Sequence, residues 1–420
     1  MARVLTPKDA YALMNSLVEQ ATGAANLTAT DTSSFVSAGE TVVSTGMENT
    51  LNSLAIVLGR RVIAVRPYKA KLAIINAIST EGYTSRMSKI SYYSKPAQAA
   101  GDWNTDLFTN LAQGYDNGSN GGASTASMWE QNQPEILELF FGGQSVWDES
   151  ITLYEKQYAT AFRDEATFIA FAGGIMTQKA NDIEKTKEAF NRMNLLNKIA
   201  AVAETTAYNN GAFVDLTAGF NADQGGTTYS RSDILSQHLT EFLQYFTATF
   251  KDYSDQMTYD TVNFHWDVPK TVGLDTLHIN RHTDKADQRA ILYGPLFKRA
   301  KAQVFSEIFN PEYLEDGSQH EQVEFWQAFN TGAGISVTPA IVDMDPTSPT
   351  YGTQIAGNAV ALDYVVGVLY DKDALMTDFQ FEGANTTPVE ARKRYRNTYW
   401  HFSKNAINDP TENFIVFYMG

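Results

Sequence analysis

Two histidines have a spacing with which a helix can hold a metal ion. His278 and His282 stand at i and i+4. Between them lie Asn280 and Arg281, and the segment 277–279 has the apolar pattern of a strand, so we do not expect both rings on one helical face. The sequence favours solvated or core histidines over a metal pair.

A pair of aspartates is the second candidate for metal chemistry. Asp343 and Asp345 carry the hard oxygen ligands that Ca²⁺ prefers. The surrounding sequence, DMDPTSPTYG at 343–352, is however typical of a tight turn, in which aspartates bond their own backbone. We therefore predict a turn here, and no metal site.

The sequence contains no known catalytic signature. It has no cysteine, which excludes thiol catalysis and disulfides. It has no GxxxxGKS/T, HExxH or GxSxG motif, and no GxGxxG follows a predicted strand. Among 48 acidic residues some carboxylate pair always occurs, so such pairs single out no acid–base site. We predict no catalytic, cofactor-binding or metal-binding residue and no cofactor.

A basic run near the end of the sequence is the candidate for phosphate contact. It consists of Arg392, Lys393, Arg394 and Arg396, with Tyr395 interleaved. The net charge of the chain is -16, which opposes general adhesion to nucleic acid, because such adhesion depends on neutralising phosphates. We therefore favour the outer face of a sheet, or a protein contact, over phosphate binding.

Composition indicates sizeable cores and few charges. The 420 residues are enough for two or three domains, 43% are hydrophobic, and 19% are charged, below the usual quarter. Aromatic residues make up 12%, which suits a chain that buries surface against partners and equally suits an aromatic-rich globule. The sequence has no signal-peptide pattern at its start and no apolar run long enough for a membrane span.

One long helix organises the elements around these residues. From a cap at Asp164 to a stop at 209–211, the segment 164–208 has no proline and carries a stripe of apolar residues. We expect Gly173-Gly174 to break it, with the continuous helix beginning near Ile175 and extending about 50 Å. The pattern alone fits either a long surface helix on an enzyme core or the spine of a flat subunit.

A projecting hairpin is predicted before this helix. The segments 82–94, 135–141 and 151–158 have extended, β-rich patterns, and the stretch 96–127 between them is rich in Gly, Asn, Ser and Ala. A structureless stretch of this length is unusual inside a compact domain. We therefore expect an arm with a flexible tip that reaches another molecule.

The remaining segments predict a mixture of helices and strands. Periodicity and capping residues predict helices over 6–22, 43–58, 232–250, 285–291 and 294–307. Alternation and β-formers predict strands over 61–65, 259–268, 276–279, 335–344, 354–355 and 359–370, and two more within 389–419. The segments 26–41 and 213–229 are predicted to be loops.

The order of these parts resembles the major capsid protein of tailed bacteriophages, the Johnson fold that herpesvirus shells share. Three stretches carry the resemblance, which is most like the proteins of small short-tailed phages. They are ETVVSTGMENTLNSLAIVLGRRVIAV at 40–65, IAGNAVALDYVVGVLYDKDALM at 355–376, and the ending from Asp378, with ARKRYRNTYWHFSKNAINDPTENFIVFYMG.

The resemblance implies an α+β, Johnson-type fold with four parts. These are an N-terminal arm (1–42), an extended β-hairpin loop (66–160), an axial domain (231–365), and a peripheral domain (43–65, 161–230 and 366–420) that contains the spine helix 164–208.

The resemblance also implies a structural function and a protein that is not an enzyme. The protein would self-assemble as pentamers and hexamers into an icosahedral capsid that encloses double-stranded DNA without sequence-specific binding. Expected partners are copies of itself, a portal, decoration proteins and a separate scaffolding protein, since no long charged helical segment precedes the arm; no membrane partner is expected. The expected location is the virion capsid, assembled in the host bacterial cytoplasm. Two alternatives stay open: an encapsulin-like compartment, which the insertion at 96–127 disfavours, and a soluble acid/base hydrolase.

Overall fold

A computed structural model describes most of the chain. The described residues are 7–24, 27–45, 53, 71–72, 74–77, 87–94, 134–142, 145–154, 165–204, 211–226, 228–272, 275–303, 319–343, 345 and 347–420. Two compact units are present. The first comprises Met1–Lys71, Gly143–Phe190 and Asp378–Asn405, and the second comprises Leu72–Gly142, Asn191–Thr377 and Ala406–Gly420.

Runs of helices and runs of strands follow one another along the described chain, as expected for an α+β protein. The helices are α1 (Pro7–Thr22), α2 (Thr32–Ser44), α3 (Glu165–Glu204), α4 (Leu216–Asp223), α5 (Arg231–Ser236), α6 (Leu239–Gln256) and α7 (Gly294–Gln303). The strands are β1 (Asn76–Ala77), β2 (Met87–Tyr92), β3 (Ile136–Phe141), β4 (Ser145–Tyr154), β5 (Phe213–Asp215), β6 (Lys270–Val272), β7 (Asp275–Leu277), β8 (Gln288–Tyr293), β9 (Gln319–Val323), β10 (Ile335–Val337), β11 (Ala340–Val342), β12 (Gln354–Ala356), β13 (Val360–Leu362), β14 (Val365–Asp371), β15 (Leu375–Thr386), β16 (Tyr395–Asn408) and β17 (Phe414–Tyr418).

In the first unit, α1 and α2 pack against each other. The predicted stripe of α1 is buried, including Leu13 and Leu17, and Gly23 follows the helix with a φ of 73°. The predicted loop at 26–41 is wrong, because Thr32–Ser44 is helical. Its Ser and Thr content conceals a buried stripe that includes Phe35 and packs against α1. The predicted helix over 43–58 and strand over 61–65 lie largely outside the described residues.

The long helix α3 is continuous over 40 residues. The predicted break at Gly173-Gly174 is therefore wrong. Each glycine costs a helix interior about 1 kcal/mol, which does not end a helix whose remaining turns are formed. Met193, predicted to face inward, is exposed, whereas Leu195 and Ile199 are buried in the second unit. Residues 205–208 of the prediction lie outside the described residues.

A four-stranded sheet ordered β1–β15–β16–β4 contains β4 and most of β15 and β16 from the first unit. Strands β4 and β16 are antiparallel, with partners from Tyr395↔Tyr154 to Lys404↔Ser145. Alternate side chains of β16, among them Trp400 and Phe402, are buried. The predicted penultimate strand is thereby confirmed.

A five-stranded sheet ordered β5–β17–β14–β8–β9 lies at the centre of the second unit. All seven residues of β14 are buried. The prediction of a helix over 285–291 is wrong, because Gln288–Tyr293 is a central strand. A strand that is buried on both faces lacks polar alternation, so its sequence resembles that of a buried helix.

The helices around this sheet correct two further boundaries. Ser230, and not Ser232, is the cap, and its side chain forms a capping box with Asp233. One predicted helix is thus two, α5 and α6, and the aromatic face of α6 is buried as expected. The predicted loop at 213–229 contains β5 and α4. The predicted strand at 259–268 contains no strand, and Phe264 has a φ of 68°.

Candidate interaction surface

Strands β2 and β3 form an antiparallel pair in the second unit. Their cross-strand partners run from Met87↔Phe141 to Tyr92↔Ile136. The predicted pairing of the segments 82–94 and 135–141 is therefore confirmed, and the predicted tip at 96–127 lies outside the described residues. The prediction that the segment 151–158 belongs to the same arm is wrong, because its described part belongs to β4, which pairs with β16. Because side chains alternate along a strand, the pair of β2 and β3 presents one set of residues outward and another inward.

The outward face of the pair carries four exposed apolar side chains. Ile90 is 51% exposed, Tyr92 65%, Ile136 47% and Phe140 70%. Tyr92 lies directly opposite Ile136, and Ile90 is on the same face of β2. This face also carries Glu138, opposite Ile90, and Ser88, opposite Phe140. Exposed apolar groups of this kind mark interaction sites on folded proteins. We call the four apolar residues the outward face.

Ion pairs attach the inward face of the hairpin to the rest of the second unit. The ammonium of Lys89 contacts the carboxylates of Asp409 and Glu412, which belong to the turn between β16 and β17. Asp409 is almost fully buried, and Lys89 is about a quarter exposed. These residues are 320 or more positions apart in sequence, so no local pattern could predict their contact.

Arg281 connects the same turn to the next inward residue of β2. Its Nη2 donates to Ser91 Oγ at 2.6 Å, and its Nε donates to Thr411 O at 3.0 Å. The Nε also lies 3.3 Å from a carboxylate oxygen of Glu412. Ser91 is buried by this contact with Arg281. The turn at 409–413 therefore contacts two cations, Lys89 and Arg281. Lys89 belongs to strand β2, and Arg281 donates a hydrogen bond to the same strand.

Further contacts continue along the inward face. Tyr93 and Leu137 pack against the central core, and Ser94 N donates to His278 O at 2.9 Å. Lys270 Nζ lies 2.6 Å from a carboxylate oxygen of Glu135. The hairpin is thus docked along its length, with its outward face directed away from its own subunit's core.

A buried lysine donates a hydrogen bond to the turn at 409–413. Lys198 of α3 is completely buried, and its Nζ donates to Asp409 O at 2.6 Å. Burial lowers the pKa of Lys198 from 10.5 to about 7, and the nearby Asp409 and Glu412 oppose this shift. Close by, burial raises the pKa of Asp371 from 3.8 to about 6, although Thr283 Oγ1 donates to it at 2.8 Å.

The structure does not bring the two candidate histidines to one site. His278 Nδ1 lies 2.5 Å from Asp267, whereas His282 Nδ1 lies 4.0 Å from Asp260. Each imidazole thus faces a different aspartate. Within the described ranges, no group of three or more His, Asp or Glu residues could hold a metal ion.

The two candidate aspartates of the 343–352 segment form the predicted turn. Asp343 accepts from Asp345 N at 3.1 Å and from Thr350 Oγ1 at 2.6 Å. Asp345 accepts from Thr347 N at 2.9 Å. Hydrogen bonds from Ser348 and Thr350 lower the pKa of Asp343, and those from Thr347 lower the pKa of Asp345. The carboxylates therefore bond their own loop.

The basic run is divided between two environments. Arg392, Lys393 and Arg394 are exposed on the turn between β15 and β16, and Arg396 is buried within β16. Glu390 accepts from the Lys393 amide, which tightens the turn. The run is therefore not a continuous basic surface. No helix in the described part of the chain is long and apolar enough to cross a membrane.

The described site thus holds docking contacts and exposed apolar side chains. The chain is similar to the capsid structure of Staphylococcus phage Andhra, with 10% identity, 86% of each chain covered and a TM-score of 0.50. It is also similar to the head fiber and inner core protein structure of bacteriophage P68 (10% identity, 83% and 84% covered, TM-score 0.49). A third similarity is to the capsid structure of Cyanophage P-SCSP1u, with 10% identity, 84% of this chain and 89% of that chain covered, and a TM-score of 0.44.

The family model of the Phi29-like phage major capsid protein matches residues 99–418, and the chain belongs to this family. Comparison with curated proteins gives no match. The protein is therefore a structural, non-enzymatic tailed-phage capsid protein of α+β fold, located in the virion capsid, which assembles with copies of itself into a shell. This result does not favour the encapsulin-like compartment or the hydrolase.

Proposed function

We propose that the chain assembles as pentamers and hexamers into an icosahedral capsid around double-stranded DNA, and that the outward face is buried against an adjacent copy. The observation that carries this proposal is the exposure of Ile90, Tyr92, Ile136 and Phe140 on one face of a docked hairpin. Complete burial of one such side chain contributes about 1.5–3 kcal/mol. Four half-exposed side chains therefore supply several kcal/mol at each copy of the contact.

The four parts expected from the family resemblance are proposed for this shell. The N-terminal arm is 1–42, the extended loop is 66–160 and includes the hairpin, and the axial domain is 231–365. The peripheral domain comprises 43–65, 161–230 and 366–420, with α3 as its spine. A contact between unlike surfaces of neighbouring copies closes into rings when the rotation between them closes, and rings can tile a shell.

Further partners follow from the same resemblance. A separate scaffolding protein, a portal and decoration proteins are proposed, with assembly in the host bacterial cytoplasm. DNA is proposed to be enclosed without sequence-specific contacts. The net charge of -16 supports this, because an acidic chain adheres poorly to phosphates.

Removing the apolar groups of the outward face tests the assembly proposal. We expect the double variant Tyr92→Ser, Phe140→Ser to fold with a wild-type melting temperature, because both side chains are largely exposed in the subunit. Particle yield, measured by sedimentation and electron microscopy, should fall by about tenfold or more as apolar burial is lost from every contact.

The control is Tyr259→Ser, which removes an aromatic residue of matched exposure, 68%, from another part of the second unit. It should leave the particle yield close to that of the wild type. Wild-type yield in the double variant would contradict the proposed role of the outward face.

A further inference from the structure

The inward contacts of the hairpin differ in strength and in burial. Lys270 and Glu135 are 43% and 32% exposed, so solvent screens their ion pair and it contributes little. Lys89 faces two carboxylates, of which Asp409 is 1% and Glu412 12% exposed. The Lys89 contact is therefore the better shielded of these two charged attachments of the hairpin.

The turn that receives Lys89 has its own supports. Asp409 Oδ1 accepts from both Thr411 N and Thr411 Oγ1 at 2.8 Å. Lys198 bonds the Asp409 carbonyl, and Arg281 lies beside Glu412. The turn therefore keeps these hydrogen bonds and one cation when Lys89 is neutralised. What is lost is the ion-paired attachment of β2, whereas Ser91 keeps its hydrogen bond from Arg281.

Lys89 and Ile90 are consecutive, so their side chains point to opposite faces of the hairpin. An isolated two-stranded hairpin is marginally stable, and its orientation must come from what it docks against. Apolar contacts such as that of Leu137 tolerate sliding, whereas an ammonium between two fixed carboxylates has one preferred position. The position of Lys89 thus determines the direction in which Ile90 and Tyr92 face.

We propose that Lys89 is a positioning residue for assembly: its ion pairs with Asp409 and Glu412 fix the orientation in which the outward face meets the next copy of the chain. This inference rests on the proposed role of the outward face. It names a charged residue on the side of the hairpin away from the outward face, which acts through Ile90 and Tyr92.

The test compares Lys89→Met, which keeps the length of the side chain but removes its charge, with Lys89→Arg, which restores the charge. Lys270→Met is the matched control. Hydrogen exchange is measured on the unassembled subunit, and particles are examined by electron microscopy. In Lys89→Met we expect exchange in 87–94 and 134–142 to accelerate about tenfold or more, because a buried ion pair is broken. Exchange in β14 and β17 should be unchanged.

Lys89→Met should form closed particles in at least severalfold lower number than the wild type. Lys89→Arg should restore both the hydrogen-exchange rate of the hairpin and the particle number. Lys270→Met should resemble the wild type in both measurements. Uniformly faster exchange throughout the second unit would assign Lys89 to folding and overturn the inference. Faster exchange in 87–94 and 134–142 together with a normal particle yield would also overturn the inference. If Tyr92→Ser, Phe140→Ser still blocks assembly in that case, only the role of Lys89 fails. If that double variant also assembles normally, the proposed role of the outward face fails as well.

Discussion

Lys198 should make the stability of the subunit depend on pH in a predictable direction. Burial lowers its pKa from 10.5 to about 7 in the folded chain. Between these two values the unfolded chain keeps the proton that the folded chain has released. The unfolded state therefore binds more protons, and the free energy of unfolding rises with pH across this window. Below pH 7 both states are protonated and the dependence disappears.

The magnitude follows from the two pKa values. Each pH unit inside the window contributes about 1.4 kcal/mol when the difference is one full proton. Lys198 is half deprotonated in the folded chain at pH 7, so the rise from pH 7 to 9 is about 2 kcal/mol. Lys198→Met removes the titrating group while nearly preserving its volume. The stability of the wild type relative to this variant should therefore increase by about 2 kcal/mol over the same interval.

Urea unfolding of the unassembled subunit at pH 7, 8 and 9, followed by tryptophan fluorescence, measures this difference. Lys298→Met is the control, because Lys298 is 61% exposed and forms a surface ion pair with Glu324. The control should follow the pH dependence of the wild type. Parallel curves for the wild type and Lys198→Met would refute the reasoning, since they would mean that the buried amine keeps its ordinary pKa.

Two other substitutions test the centre of the second unit. Burial raises the pKa of Asp371 from 3.8 to about 6, so its contribution to stability is present below the lower value and lost as pH rises through the higher one. The stability of the wild type relative to Asp371→Asn should therefore fall by about 2 kcal/mol from pH 4 to 6.5 in urea titrations, and an unchanged difference would contradict this. In Gly367→Ala the new Cβ would lie 2.6 Å from Leu292 Cδ2, which should lower stability by about 1–3 kcal/mol in the same assay. Gly383→Ala, whose Cβ would have no neighbour within 4 Å, should cost less than half as much, and equal losses would exclude overpacking as the cause.

Local periodicity was sufficient for the elements that have one buried face. The stripe of α1 and the inward aromatic residues of α6 recur every three or four positions, and both are buried where the pattern predicts. The apolar run 413–419 contains β17, and the extended segments on either side of 96–127 contain the paired strands β2 and β3. In these segments local and tertiary preferences agree.

Three elements escaped the same reasoning, each for a different reason. Strand β8 is covered on both sides and therefore shows no alternation, which made a helix the better match. Helix α2 is rich in Ser and Thr, yet the buried Phe35 and Val42 give it an inward stripe. The glycines at 173–174 suggested a break because glycine has low helix propensity, yet α3 is continuous through them.

The candidate site was predicted only in part, for a related reason. The sequence predicted the extended segments that carry the outward face, but it did not predict that Ile90 and Tyr92 would be exposed together. The partners of the inward face come from the turn at 409–413, more than 300 positions away, and a sequence pattern carries no information at that separation. The residues that did suggest chemistry, His278 and Asp343, have local structural roles instead.

The hairpin assigns different interactions to its two faces, and this division suits a subunit that must first fold and then assemble. Buried ion pairs contribute little net stability, because desolvation offsets their attraction, but they are directional. The contact of Lys89 with Asp409 and Glu412 can therefore set an orientation at small energetic gain. Apolar burial is strong but non-directional. If the apolar residues faced inward and the charges outward, the hairpin would dock more firmly and would have little affinity for another copy. In the proposed assembly, burial of the outward face stabilises the contact with the next copy, and the ion pairs of Lys89 set the orientation of that contact.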